Sequence, residues 1–331
     1  MLYNNVPSEN IINFLSNITN SESFILSNLD KNTNIIMPWY VTGFTDGEGS
    51  FQITIQDIKG KGLTGYKPFL EFKITQKSHS IDVLIEIKKY FKCGRISIDN
   101  RKTDTVKYVV TNINDIINKV IPHFDQYSLM TSKYLNYFDF KLAALLMSSK
   151  DHYSMKGIEE LKNIKLKMNK GRSFEEKFHY CWSKPIILEP NWIQGFIDGE
   201  ASFQCDIIKP QINRVNSTIN FSLQIKQNNH DVAVLSAIRN FFRNGYLKPK
   251  YDIKSIEVIN NLPRKSTILW IRNYEVVCQF LDKYPLYTKK WLDYLDWKSL
   301  IELKLQKAHL TNTGLNRMYK IKGKMNSKRN K

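Results

Sequence analysis

The second half of this sequence repeats the first, and that repetition confines the fold more than any other feature. WYVTGFTDGEGSFQ at 39–52 returns as NWIQGFIDGEASFQ at 191–204. LEFKITQ (70–76) returns as FSLQIKQ (221–227), and FKCGRI (91–96) as FRNGYL (242–247). SLMTSKYLNYFDFK (128–141) matches PLYTKKWLDYLDWK (285–298), and HYSMKGIEELKNIKLKMN (152–169) matches HLTNTGLNRMYKIKGKMN (309–326). The offset is 152 at Glu48 and Glu200, 151 in the next two blocks and 157 in the last two. Blocks kept in one order at a nearly constant spacing mean a duplicated unit, and hence two like halves related by a pseudo-two-fold axis within one chain.

Each half reads alike. A short helix leads into a glycine-rich acidic segment. Phe51, Ile53 and Ile55 then alternate with Gln52, Thr54 and Gln56, the period of a half-buried strand. In the second copy Phe203, Cys205 and Ile207 alternate with Gln204 and Asp206. The next strand turns Leu70, Phe72 and Ile74 inward and Glu71, Lys73 and Thr75 outward. Its partner turns Phe221, Leu223 and Ile225 inward and Ser222, Gln224 and Lys226 outward. Helices are predicted near 79–92 and 230–243, and again where Ile158, Leu161, Ile164, Leu166 and Met168 recur. The order is αββαββα, an α+β pattern with antiparallel sheets. The halves span 37–169 and 191–326. A linker at 170–190 joins them, basic at Lys170 and Arg172 and closed by Pro185 and Pro190. Residues 1–36 form an N-terminal extension and 327–331 a basic tail.

Charge narrows the partner. The 331 residues carry a formal net charge of +18, an excess that points to a polyanion, nucleic acid ahead of membrane. Strand faces rich in Gln, Thr, Ser and Lys suit base edges in a DNA major groove. Two such sheets side by side would make a long basic saddle. The four cysteines (Cys93, Cys181, Cys205, Cys278) form no CxxC pair and are expected to be reduced and mostly buried. The six histidines form no HExxH array. No apolar run is long enough to cross a bilayer, so no membrane partner is expected. The first arginine is Arg95, and residues 1–36 hold Glu9, Glu22 and Asp30, so no Arg-rich presequence is expected.

The repeated acidic segment carries the chemistry. Gly43 and Gly47 stand four apart, as do Gly195 and Gly199, on one side of a helix. Missing side chains let two backbones approach, and the pseudo-symmetry would bring each helix against its copy. Glu48 and Glu200 would then meet at the two helix C-termini. A carboxylate is disfavoured there by the helix dipole, and two close carboxylates repel. A divalent cation relieves both, and hard oxygen ligands suit Mg²⁺. A bound metal can acidify a water and stabilise charge building on a phosphate. A lone segment of this kind would read more simply as a helix ending on a solvated Glu; its duplication argues for a site. Asp46 and Asp198 sit two residues earlier, facing away, and are expected to make structural hydrogen bonds.

These segments resemble the namesake motif of the LAGLIDADG homing endonucleases. From about residue 38 to 326 the chain resembles the single-chain, two-motif branch. The resemblance implies a monomer of two αββαββα halves, with motif helices at the interface and two antiparallel four-stranded sheets forming a DNA-binding saddle. It implies that Glu48 and Glu200 bind the metal with the carbonyls of Gly47 and Gly199, and that both strands of a long DNA site are cut. Mg²⁺ is the expected cofactor, with Ca²⁺ or Mn²⁺ able to substitute. Gln76 and Gln227, ending the second strands, and Lys248 on a third strand join the expected catalytic set. Ser97 stands opposite Lys248 in the repeat, so this lysine is expected on one side only. Lys133 and Lys290 are further candidates. The expected DNA-contacting residues are Gln52, Thr54, Gln56, Lys73, Thr75, Arg95 and Ser97 in the first half. Those of the second are Gln204, Asp206, Gln224, Lys226 and Arg272. Ala201 replaces the motif's last glycine, which would make a left-handed helix cap less comfortable there.

Two other functions share such a fold: an RNA maturase, with intron RNA as partner, and a DNA-binding regulator that does not cut. Retention of both glutamates favours the endonuclease. The richness in Asn, Lys and Ile, whose codons are AT-rich, together with the lack of an expected presequence, points to a gene encoded and used inside an organelle, such as a fungal mitochondrion.

Overall fold

The computed structural model describes residues 36–183, 185–208, 217–248, 259 and 264–326. Apart from Ile36, the N-terminal extension lies outside the described residues, as does the basic tail.

In the first half, α1 (Pro38–Glu48) runs directly into β1 (Gly49–Asp57), which is followed by β2 (Tyr66–Lys77) and α2 (Ile81–Phe91). Then come β3 (Arg95–Asn100), β4 (Thr105–Val110), short helical turns ending in α3 (Ile121–Gln126), α4 (Lys133–Ser148) and α5 (Met155–Lys167). Helix α6 (Phe174–Trp182) lies between the halves. The second half repeats the order. It has α7 (Pro190–Glu200), β5 (Ala201–Ile208), β6 (Thr218–Asn228), α8 (Val232–Phe242), β7 (Tyr246–Lys248) and β8 (Ser266–Ile271). It closes with α9 (Tyr274–Lys283), α10 (Lys290–Leu305) and α11 (Asn312–Lys322). The sheets have four strands each, ordered β1-β2-β4-β3 and β5-β6-β8-β7, with every neighbouring pair antiparallel. The fold is therefore α+β, a duplicated αββαββα unit with further helices behind each sheet.

Each half buries its own core against the inner face of its sheet. The Phe51 ring packs on Phe72, Phe124 and Phe140, with centroids 5.2, 5.4 and 5.3 Å apart. Phe203, the equivalent residue, packs on Tyr294 and Trp297 at 5.7 and 5.5 Å. Aromatic residues at these positions remove large apolar areas from water, which is the main force holding helices to sheet. One expected core residue is misplaced: Leu166 is 72% exposed, whereas Ile158, Leu161 and Met168 are buried. Two residues beyond Ile164, Leu166 is turned about 200° around the helix and cannot share its buried face.

The segment expected as a linker is itself structured. Ser173 and Glu176 close a capping box that starts α6. Arg172 forms an ion pair with Asp139 on α4. Tyr180 stacks on Tyr134 of α4 at 5.1 Å, while Phe178 and the buried Cys181 face the second half. Helix α6 thus touches both halves.

The halves meet through α1 and α7, whose mutual contact is the most extensive between any two described elements. Proline at the start of each helix fixes φ where no backbone partner is lost. The glycines make the close approach possible. A methyl at Gly43 would stand 2.8 Å from the carbonyl carbon of Trp192, and one at Gly195 would stand 2.7 Å from the amide nitrogen of Phe44. At the cap the expectation for Ala201 fails. Gly49 and Ala201 are both extended, at φ −81° and −82° with ψ 159°, so each helix passes straight into its strand without a left-handed residue.

Gly43→Ala should therefore destabilise the protein by about 3 kcal/mol, the upper end of the overpacking range. Gly47→Ala should cost less, because its methyl would meet the movable Glu200 side chain at 3.2 Å. Urea unfolding measures the order; a Gly47 variant as unstable as the Gly43 variant would contradict it.

Candidate active site

The helix pair delivers its two glutamates to one place. Each helix ends at its glutamate, and each glutamate reaches across to the other helix. A methyl at Gly199 would stand 3.3 Å from Cγ of Glu48, and one at Gly47 would stand 3.2 Å from Cγ of Glu200. Glu48 thus lies over the end of α7 and Glu200 over the end of α1.

Beneath them the two aspartates tie the helices together. Asp46 accepts a hydrogen bond from Trp192 Nε1 on α7 at 2.9 Å. Asp198 accepts one from the Tyr40 hydroxyl on α1 at 2.6 Å. Tyr40 and Trp192 occupy equivalent positions, so the same bond is made twice with different donors. Each aspartate also anchors the loop before a following helix. Asp46 accepts from the amides of Met130 and Thr131 at 2.8 and 3.2 Å and from the Thr131 hydroxyl at 2.5 Å. Asp198 accepts from the amides of Tyr287 and Thr288 at 2.7 and 3.1 Å and from the Thr288 hydroxyl. These bonds set the start of α4 and α10, and hence Lys133 and Lys290.

The lysines close the site. Lys133 Nζ donates to the carbonyls of Thr45 and Gly47 at 2.8 and 3.2 Å, and Lys290 Nζ to those of Ile197 and Gly199 at 3.1 and 2.9 Å. A cation at a helix C-terminus complements its dipole and unpaired carbonyls. Gln76 hydrogen-bonds Glu48, and Gln227 hydrogen-bonds Glu200. Two crossed groups result. One gathers Glu48, Gln76, Lys290 and the Gly199 carbonyl; the other gathers Glu200, Gln227, Lys133 and the Gly47 carbonyl.

Their electrostatics are strained. Burial raises the pKa of Glu48, against the pull of Lys290. Burial, and then the charge of Glu48, raise that of Glu200. Burial also lowers the pKa of Lys133 and Lys290, opposed chiefly by Asp46 and Asp198 respectively. No described group of three His, Cys, Asp or Glu side chains could by itself hold a metal. The available set is all oxygen: two carboxylates and the carbonyls of Gly47 and Gly199. A carbonyl oxygen has two lone pairs, so each can accept from its lysine and still bind a hard cation. The donor set fits such an ion.

Lys248, expected in the catalytic set, stands on β7. Its Nζ sits 5.7 Å from the centre of the Trp270 ring, on the open face of the second sheet. The charges of Lys133 and Lys290, the two further lysine candidates, act on both glutamates, one lysine coming from each half.

The open sheet faces differ more. On the first, Gln52 and Thr54 are half-buried and Gln56 is exposed. Lys73 lies opposite Ser50 and Val109, while Thr75 and Ser97 both lie opposite Lys107, and Arg95 is exposed opposite Val109. Lys73 and Lys107 each bridge Glu71 and Asp99, at 3.6–3.9 Å. On the second, Gln204 lies opposite Ser222 and Gln224 opposite Ser202, and Asp206 and Lys226 are exposed. Tyr246 stacks on Trp270 at 6.1 Å, and Arg272 covers Tyr246 at 4.8 Å. The crossing bonds of Tyr40 and Trp192 were missed from sequence, although their matched positions just ahead of each motif were a usable signal.

Comparison with known proteins places this geometry. The model of the family described as LAGLIDADG endonuclease matches residues 41–144 and 193–301. The chain is 30% identical over 302 residues to "Probable intron-encoded endonuclease 3" of Neurospora crassa, covering 87% of this chain and 54% of that protein. It is 25% identical over 308 residues to "Uncharacterized mitochondrial protein RF1" of Saccharomyces cerevisiae, covering 88% of this chain and 60% of that one. The chain thus spans about half to two thirds of the length of these curated relatives. Among solved structures, the I-SmaMI LAGLIDADG homing endonuclease bound to cleaved DNA is 28% identical, with a TM-score of 0.75 over 88% of this chain and 98% of that one. I-SmaMI bound to its uncleaved DNA target with calcium ions is 27% identical, with a TM-score of 0.74 over 87% and 98%.

The raised glutamate pKa values have a consequence for stability. Both groups bind a proton more readily folded than unfolded. They favour folding most below their unfolded value, and this contribution is lost as the pH rises through the raised folded value. In metal-free protein at pH 7, Glu48→Gln and Glu200→Gln should each raise the melting temperature by roughly 2–4 °C, the shift expected of about 1 kcal/mol in a chain of this size. The gain should vanish below about pH 4.3. Thermal unfolding across that range checks it, and a variant less stable than the parent at pH 7 would contradict the account.

Proposed function

The chain belongs to the LAGLIDADG endonuclease family, and on that premise we propose that it is a homing-type endonuclease that cuts both strands of a specific DNA site. The observation that carries this is the crossed pair of glutamates at the ends of two touching helices. Glu48 and Glu200, with the carbonyls of Gly47 and Gly199, would hold divalent metal, Mg²⁺ by preference. Such an ion supplies an acidified water and stabilises charge on the phosphate. Gln76 and Gln227 orient the glutamates. Lys133 and Lys290 keep the helix-end carbonyls in place and present positive charge to the incoming phosphates. One chain furnishes both centres, so a monomer suffices.

The open sheet faces are the proposed reading surface. Gln52, Thr54, Gln56, Lys73, Thr75, Arg95 and Ser97 would meet one half-site. Gln204, Asp206, Gln224, Lys226 and Arg272 would meet the other, joined by Lys248 as a DNA contact. The net charge of +18 supports strong, salt-sensitive phosphate binding. Retention of both glutamates, and relatives named as endonucleases, leave the maturase reading unfavoured. A mitochondrial relative supports action in that organelle.

The test is cleavage of the intronless host allele with Mg²⁺. The parent should give a linear double-strand break, and chelation should stop it. Glu48→Gln should slow cutting at least a hundredfold while binding the target, in Ca²⁺, as tightly as the parent or more so. Cleavage that falls only in proportion to binding would sink the assignment.

A further inference from the structure

The two centres are built alike, but they are not held alike. The start of each lysine-bearing helix is clasped across the interface by the residue just before α2 or α8. Asp231, before α8, accepts hydrogen bonds from the Ser132 amide at 2.7 Å and the Ser132 hydroxyl at 3.2 Å. Ser132 immediately precedes Lys133. His230 Nδ1 stands 3.1 Å from Asp231, and Cys181 of α6 donates to it at 3.1 Å. The equivalent residue of the first half is Ser80, whose hydroxyl accepts from the Lys289 amide at 3.3 Å, beside Lys290. The clasp is a buried carboxylate on one side and a single longer bond to a serine on the other. Helix α6 roofs the first, whereas a cleft of about 450 Å³ opens at the second, lined by Gln76, Ser80, Gly199 and Lys290.

The repeat also moves a second charge. Asp293 stands one turn after Lys290 on α10 and accepts from the Asn326 amide at 3.0 Å. Its counterpart on α4 is the neutral Asn136, which accepts from Asn169 at 2.8 Å. Each lysine therefore has a carboxylate that the other lacks. For Lys290 it lies on the same helix; for Lys133 it lies across the interface, in the other half.

Resting on the function proposed above, we propose that Asp231 is a positioning residue for Lys133, so that the strand cut at the Lys133 centre depends on a charged clasp between the halves and the strand cut at the Lys290 centre does not. The low pKa of Asp231, which His230 and its hydrogen bonds maintain against burial, agrees with a permanent charge. Without that charge Lys133 keeps its carbonyl partners and Asp46 keeps Thr131, but Ser132 loses the charged clasp that ties the start of the helix to the second half.

The experiment uses the full chain and a target duplex carrying a different fluorophore on each strand, resolved on a denaturing gel. Lys133→Met identifies the strand served by that lysine. Asp231→Asn should slow the same strand roughly tenfold and leave the other within about twofold, so that nicked duplex accumulates. Asp231→Ser, the residue found at the equivalent position, should do likewise. Adding Asn136→Asp to it, which gives the first half the arrangement of the second, should restore most of the rate. Target binding in Ca²⁺ should stay within about twofold throughout. Equal slowing of both strands would mark Asp231 as merely structural and overturn the proposal, as would an unchanged strand ratio or a failed rescue. A parent protein that cuts neither strand would instead overturn the proposed function.

Discussion

Everything else in this molecule depends on how closely α1 and α7 approach. The contact is a backbone one, with Gly43 under Trp192 and Gly195 under Tyr40 and Phe44. Side chains at these positions would part the helices. The glutamates would then no longer reach each other's helix ends, and the bonds from Tyr40 to Asp198 and from Trp192 to Asp46 would lengthen together. Those aspartates also anchor the loops that start α4 and α10. The interface between halves and the geometry of the site are thus one set of interactions, and a change to either is felt in both.

That arrangement concentrates unfavourable charge. Two glutamates are brought from water to the negative ends of two helices, beside two lysines that burial also penalises. The structure accepts this because the core of each half is large and independent, built on Phe51 or Phe203 and its aromatic neighbours. The opposing charges and the helix-end carbonyls offset part of the cost, and a hard cation would offset more. Strain of this kind is what a polar site held ready for charged reactants requires.

Much of this could be read in the sequence because it rests on local pattern. Alternation at Phe51, Ile53 and Ile55 marks a strand whatever surrounds it, and the repeat doubles each such inference. Glycines four apart specify a close helix contact. The same logic singled out Glu48 and Glu200, the family resemblance added Gln76 and Gln227, and the structure gathers all four at one place. What could not be read has a different source. The contact between Asp198 and Tyr40 spans 158 positions, and that between Ser132 and Asp231 spans 99, with no periodicity to announce either. Lys133 and Lys290 could be named as candidates from their matched helical blocks, but the loops that place them are fixed by Asp46 and Asp198 over long sequence separations. Helix α6 could have been foreseen, since Ser173 and Glu176 stand at capping-box spacing before an apolar pattern.

The duplication keeps some features and releases others, and the division follows function. Close to the helix pair nearly every contact is made twice: Asp46 and Asp198, Lys133 and Lys290, Gln76 and Gln227. Under the proposed function two equivalent phosphodiester bonds would need equivalent chemistry, which would make divergence there costly. On the open sheet faces the halves share little. The first presents the ion network of Glu71, Lys73, Asp99 and Lys107, and the second presents Tyr246 stacked on Trp270 with Arg272 and Lys248 over the rings. A symmetric surface could match only a palindromic sequence, because equivalent positions would favour the same base edges. Once both halves are carried in one chain, each face can change without the other, and an asymmetric site becomes readable. In the proposed function the single chain would thereby join a symmetric cutting centre to an asymmetric reader.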